Sequence, residues 1–120
     1  MASLYRSPEG ERRVRDWCSR RLDGWSRPHD RASVETPLGD THLVEAGYGD
    51  TVCVFLPGTN FNAATSLRFL EALSARVRVV AVDLPGQPGL SSSVRPRPEA
   101  EGYGAWLGDV LDVVRARHRP

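Results

Sequence analysis

Residues 51–92 read TVCVFLPGTNFNAATSLRFLEALSARVRVVAVDLPGQPGLSS, and this stretch decides the fold. Residues 52–56 (VCVFL) are apolar at every position. A strand with one wet face would alternate; a strand covered on both faces, as in a parallel sheet flanked by helices, reads as a continuous apolar run. Pro57-Gly58-Thr59-Asn60 ends it sharply. Asn62 is placed to cap a helix whose buried stripe is Ala63, Leu67, Leu70 and Leu73, at i, i+4, i+7 and i+10. Residues 77–82 (VRVVAV) read as a second buried strand, and residues 83–91 as a loop rich in Pro and Gly. Strand, helix and strand within about thirty residues make a βαβ unit. The predicted class is therefore α/β.

Outward from this unit the pattern continues in both directions. Residues 31–36 (RASVET) alternate, with Ala32, Val34 and Thr36 on one face, and residues 41–46 (THLVEA) form a second run. Pro37-Leu38-Gly39-Asp40 between them is a turn, so the pair reads as an antiparallel hairpin. His42 lies within it, and a lone imidazole in a strand reads as packed or solvent-facing rather than catalytic. Upstream, Ser7-Pro8-Glu9 starts a helix: Ser7 accepts from an orphan N–H, Pro8 suits the first position, and Glu9 and Glu11 favour the positive end of the dipole. Val14, Trp17, Cys18, Leu22 and Trp25 form its apolar face, and it should end near Gly24. Arg12, Arg13, Arg15, Arg20 and Arg21 are interleaved with Glu9, Glu11, Asp16 and Asp23. That mixture reads as a solvated face rather than a nucleic-acid patch. Downstream, Tyr103, Trp106, Leu107, Val110, Leu111 and Val114 are helically spaced, with Glu99 and Glu101 before and Arg115, Arg117 and His118 after. Residues 1–30 are thus a helical lead-in and residues 31–120 a partial α/β domain.

The 120 residues suffice for one domain. All sixteen basic residues are Arg, against fifteen acids, for a net charge of +1, so electrostatics offers little to hold nucleic acid or an anionic membrane. Cys18 and Cys53 stand alone without CxxC spacing, which argues against a redox motif or a zinc site and for reduced core thiols. The first residues, MASLYRSPEGERRVRDW, hold no apolar h-region, and no run approaches the ~20 apolar residues of a membrane span. A cytoplasmic location is expected. The spacing from Gly58 to Asp83 would suit a dinucleotide-binding unit, but residues 58–63 read GTNFNA and lack G-x-G-x-x-G. A phosphate loop needs a Lys, and the chain has none. No cofactor and no metal are expected.

The segment resembles instead the N-terminal half of an α/β-hydrolase. The resemblance rests on LPGTNF at the end of an apolar strand, on Asp83, Pro85, Gly86, Gly89 and Ser91 or Ser92 in a D-x-P-G-x-x-G-x-S pattern, and on T-x-x-G-x-x-H-x-x-x-x-G in the preceding hairpin. It covers residues 31–118 or so. It implies a partial α/β-hydrolase sheet, an antiparallel hairpin plus a parallel βαβ unit flanked by helices, in strand order 1-2-4-3. It implies that the glycine turn supplies part of an oxyanion hole through backbone N–H groups, here those of Thr59 and Asn60. Pro57 stands where the family usually has His. It also implies structural roles for Gly58, Asp83, Gly86 and Gly89, and turn or cap roles for Ser91, Ser92 and Ser93, none of which lies in a G-x-S-x-G elbow.

In that family the nucleophile elbow, the acid and the catalytic His follow the helix at 103–114. No catalytic residue is therefore assigned, and the chain reads as a truncated hydrolase of esters, thioesters, amides or similar bonds, inactive alone. It would meet a small-molecule substrate only when completed by a C-terminal half. The rival expectation is a non-enzymatic interaction module that pairs, with a second copy or a complementary half, through the open edge of strand 51–56. A small nucleotide-binding domain is a third.

Overall fold

A computed structural model describes residues 3–95 and 102–117. Four strands form one mixed sheet in the order β1-β2-β4-β3: β1 is His29–Val34, β2 Thr41–Ala46, β3 Val52–Phe55 and β4 Arg78–Val82. β1 pairs antiparallel with β2, β2 antiparallel with β4, and β3 parallel with β4. This is the hairpin-plus-parallel-pair sheet expected from the sequence. Helices α1 (Pro8–Asp23), α2 (Leu67–Ser74) and α3 (Gly102–Arg117) flank it.

The alternation of side chains along β4 divides the core. Val79 and Ala81 face one side, where Cys18 and Leu22 of α1, Leu67 and Leu70 of α2, and Ala63 and Ala64 close over them. Val80 and Val82 face the other, against Trp106, Val110 and Val114 of α3. Trp106 is fully buried, and its indole N–H donates to the Thr41 hydroxyl at 2.9 Å, so the largest core side chain leaves no polar atom unmet. Glu99, Glu101 and His118 lie outside the described residues.

Several expectations are corrected. The first strand starts at His29 and stops at Val34, because Thr36 is taken up by the turn: its hydroxyl donates to the Gly39 carbonyl and accepts from the Leu38 N–H. The helix expected from Asn62 is broken in two. Asn62 and Thr65 cap each other around a single 3-10 turn, Ala63–Thr65, and the Ser66 hydroxyl donates back to the Asn62 carbonyl. Small polar side chains compete here for the backbone, so α2 begins only at Leu67, and Leu73 is partly buried. Trp17 is 45% exposed, with the Arg21 guanidinium 5.4 Å from its ring centroid, so it leaves the buried face of α1 to Val14, Cys18 and Leu22. β3 is half-buried at every position, because it is an edge strand and only its two faces are covered.

The face of α1 read as solvated does structural work at two positions. Arg15 donates to the carbonyls of Leu90 and Ser91, at 3.2 and 2.8 Å, while its Nε pairs with Glu11. Arg21 donates to the Ala64 carbonyl at 2.9 Å. Loop carbonyls lack ladder partners, and the planar Arg fork can serve two of them at once.

Candidate active site

The parallel pair β3 and β4 runs in one direction, so the loops after both strands emerge at the same end of the sheet. In open α/β sheets the crevice beyond the carboxyl ends of the strands is where ligands bind. The loop after β4 is built around Asp83, which is 1% exposed. One carboxylate oxygen accepts from the Ala63 N–H at 2.8 Å and the other from the Leu90 N–H at 3.0 Å. The acid thus joins the start of the 3-10 turn to the far side of its own loop, which is a structural role. Gly89, at φ +152°, lies where a Cβ would come within 3.0 Å of the Asp83 carboxylate, so this position needs glycine both for its backbone and for space. Gly86, at φ +81°, donates its N–H to the Ser92 carbonyl.

Ser91, His42 and Asp83 are all buried and adjacent, and on a list they would pass for a Ser-His-Asp set. Their hydrogen bonds say otherwise. The Ser91 hydroxyl donates to the Asp83 backbone carbonyl at 2.5 Å and accepts from the His42 backbone N–H at 2.8 Å. It ties strands together and makes no bond to the imidazole. The imidazole Nε2 accepts from Arg31 Nε at 3.1 Å, which puts the ring proton of neutral His42 on Nδ1. Nδ1 lies 3.6 Å from the Asp83 carboxylate, beyond hydrogen-bond reach, and is buried with no hydrogen-bond partner among the described residues. A base of this kind must face the nucleophile; here it faces an Arg.

The loop after β3 is different. Gly58, Thr59, Asn60 and Phe61 are exposed. The Phe61 N–H donates to the Gly58 carbonyl at 2.9 Å and closes the turn. Asn60 sits in the left-handed region at φ +67°, and its N–H donates to the side-chain oxygen of Gln87, in the β4 loop, at 2.9 Å. Asn62 Nδ2 adds a bond to the Pro88 carbonyl at 3.1 Å. Both nominated residues, Thr59 and Asn60, are therefore at the mouth of the sheet. Gly58 has no positive φ, and a Cβ there would meet only the Phe61 ring at 3.6 Å, an ordinary contact. Sequence reasoning passed over Gln87, since a lone Gln in a loop carries no signal of its own.

The sequence profile of the Alpha/beta hydrolase family matches residues 53–120, more than half of the chain. The chain belongs to the alpha/beta hydrolase family. Solved structures share the fold. The carboxylesterase CesB (YbfK) of Bacillus subtilis superposes on 88% of the chain with TM-score 0.74 and 24% identity. The naproxen esterase (carboxylesterase NP) of the same organism covers 90% with TM-score 0.73 and 24% identity. An epoxide hydrolase from an endophytic Streptomyces covers 73% with TM-score 0.58 and 30% identity. No curated protein matches. The chain spans 38% of the length of either esterase and 26% of the epoxide hydrolase. As an alpha/beta hydrolase segment it holds the glycine-turn loop and the Asp83 loop side by side. Among the described residues no group of three or more His, Cys, Asp or Glu side chains is placed to hold a metal, and no helix is long and apolar enough to cross a membrane.

Proposed function

We propose that this chain supplies the oxyanion loop of a hydrolase acting on esters, thioesters, amides or similar bonds, with the backbone N–H groups after Gly58 as the donors, and that these 120 residues turn over no substrate by themselves. The observation that carries the reading is the exposed turn Gly58–Phe61 beside the rigid Asp83 loop, at the carboxyl end of the parallel pair. A backbone donor aimed at a developing negative oxygen is worth about 3 kcal/mol of barrier. Two of the structurally similar proteins are carboxylesterases, which supports the substrate class. Neither Ser91 nor His42 is bonded as a nucleophile or base, which supports inactivity of the chain alone.

The test is hydrolysis of a p-nitrophenyl ester by the purified chain. Release of p-nitrophenol should not exceed the buffer rate. Turnover above buffer that is abolished by a serine-directed fluorophosphonate would overturn the claim of inactivity. Reading the coding DNA beyond Pro120 separates the two readings: a strand followed by G-x-S-x-G supports an interrupted enzyme, and a stop followed by unrelated sequence, with a stable dimer of the purified chain, favours the interaction module.

One observation favours the interaction module as a second reading. β3 is an edge strand, and Leu56 and Phe69 beside it are 39% and 54% exposed. An unprotected apolar edge invites pairing with another strand. Self-association through 51–56 would give a concentration-dependent dimer in sedimentation, lost on a Val54→Pro change; a monomer at every concentration would dismiss it.

A further inference from the structure

We propose that Gln87 is the positioning residue of the glycine-turn loop, and that its hold on Asn60 leaves Thr59 as the backbone amide free to meet a ligand oxygen. The proposal rests on the oxyanion-loop reading above and deepens it, because that reading leaves Thr59 and Asn60 as equal candidates.

Three consecutive amides decide the matter. Phe61 N–H is committed to the Gly58 carbonyl and Asn60 N–H to Gln87 Oε1, both at 2.9 Å. Among the described residues Thr59 N–H has no hydrogen-bond partner, and the residue is exposed. Asn60 also carries the left-handed backbone, at φ +67°, which reverses the chain after Thr59. Asn tolerates this conformation better than most residues with a side chain, and among the described residues the Gln87 bond is the hydrogen bond that reaches the Asn60 N–H from outside the turn. The anchor is itself firm. The Gln87 N–H donates to the Leu84 carbonyl, and Asp83 next to that residue is locked by Ala63 and Leu90. The Asn60 peptide of the β3 loop is thus held from the β4 loop through the Gln87 side chain, while Asn62 bonds Pro88 at the loop's far end.

The chemistry of that side chain fits the task. A carboxamide oxygen accepts one N–H without bringing a net charge to the mouth. A carboxylate at the same place would accept equally well but would set a negative charge beside the oxygen that gains one during acyl transfer, and like charges at such range oppose each other.

Amide hydrogen exchange on the chain, resolved residue by residue by NMR, tests this without reference to activity. In the wild-type chain Asn60 should exchange slowly and Thr59 fast. Gln87→Ala should speed Asn60 exchange roughly tenfold, the loss of one neutral hydrogen bond. Gln87→Glu should restore slow exchange, because the acceptor is back; a role limited to filling space would not be rescued this way. Gln87→Met, which keeps the bulk and drops the acceptor, should behave as Gln87→Ala does and covers the case in which the Ala variant folds poorly. Ala63 and Leu90, held by Asp83, should stay slow throughout and report that the scaffold is intact. Asn60 exchanging as fast as Thr59 in the wild type, protection of Thr59, or indifference of Asn60 to Gln87→Ala overturns the proposal. Fluorophosphonate-sensitive turnover of a p-nitrophenyl ester by the chain alone, with this exchange pattern kept, would overturn the proposed function and leave the Gln87 anchor standing.

Discussion

The two loops at the carboxyl end of the sheet lie side by side and are built on opposite terms. The loop after β4 is tied from every direction: Asp83 to Ala63 and Leu90, Ser91 to His42, Ser92 to Asp40, Leu90 and Ser91 to Arg15, and Pro85 to Tyr103. The loop after β3 is tied to its neighbour by two bonds, Asn60 N–H to the Gln87 side chain and Asn62 Nδ2 to the Pro88 carbonyl. Its glycine is sterically optional, whereas Gly89 is not. The difference teaches that one loop is scaffold and the other is a presented surface. On the proposed oxyanion-loop reading, a surface that offers unpaired donors cannot spend them on its own structure, so its rigidity comes from the neighbour.

The comparison can be broken most forcefully at Asp83. Asp83→Ala leaves two N–H groups without an acceptor in a buried site, and unfolding by urea should show a loss of about 3 kcal/mol. A loss below 1 kcal/mol would mean that the β4 loop is not the scaffold. Gly89→Ala is the next largest. It forces a side chain into a positive-φ position against the Asp83 carboxylate, and the same measurement should give a loss of about 2 kcal/mol.

Cys18 sharpens the picture from below. Burial, reinforced by the nearby Asp83 charge, pushes its thiol up to about 11. The unfolded chain loses this proton first as pH rises, so the stability owed to the neutral thiol is complete below about 9 and is lost through about 11. The advantage of the wild type over Cys18→Ala should therefore shrink between pH 8 and pH 10.5 in urea melts; a gap that widens with pH would contradict it. The smallest effect belongs to Gly58→Ala. With no positive φ and only an ordinary contact to Phe61, it should change stability by less than about 0.5 kcal/mol. A large loss would move Gly58 into the scaffold and erase the distinction between the loops.

Much of this was legible beforehand because it is written in local periodicity. The continuous apolar runs of β3 and β4, the alternation in the hairpin, and the Ser7-Pro8 start and Gly24 end of α1 depend on near neighbours in the chain. The motif around Asp83 singled the residue out, while the two N–H groups it accepts from, Ala63 and Leu90, appeared only in the fold. The break at Ser66 was not legible, because the helical stripe through Ala63 and Leu67 is continuous while the competing bonds of Asn62 and Thr65 leave no periodic trace. Arg15 looked solvated for a similar reason. Its partners lie at Leu90 and Ser91, far along the chain, and sequence spacing cannot report a distant carbonyl.

From the amino-acid order alone came the α/β class, the family resemblance and the glycine turn, since each is set by side-chain size and polarity at fixed local spacing. Which amide of that turn is free, that His42 faces Arg31 rather than Ser91, and that Gln87 reaches Asn60 were decided only in three dimensions. These are hydrogen bonds between loops, and a hydrogen bond forms only when folding brings donor and acceptor to within about 3 Å with the right direction.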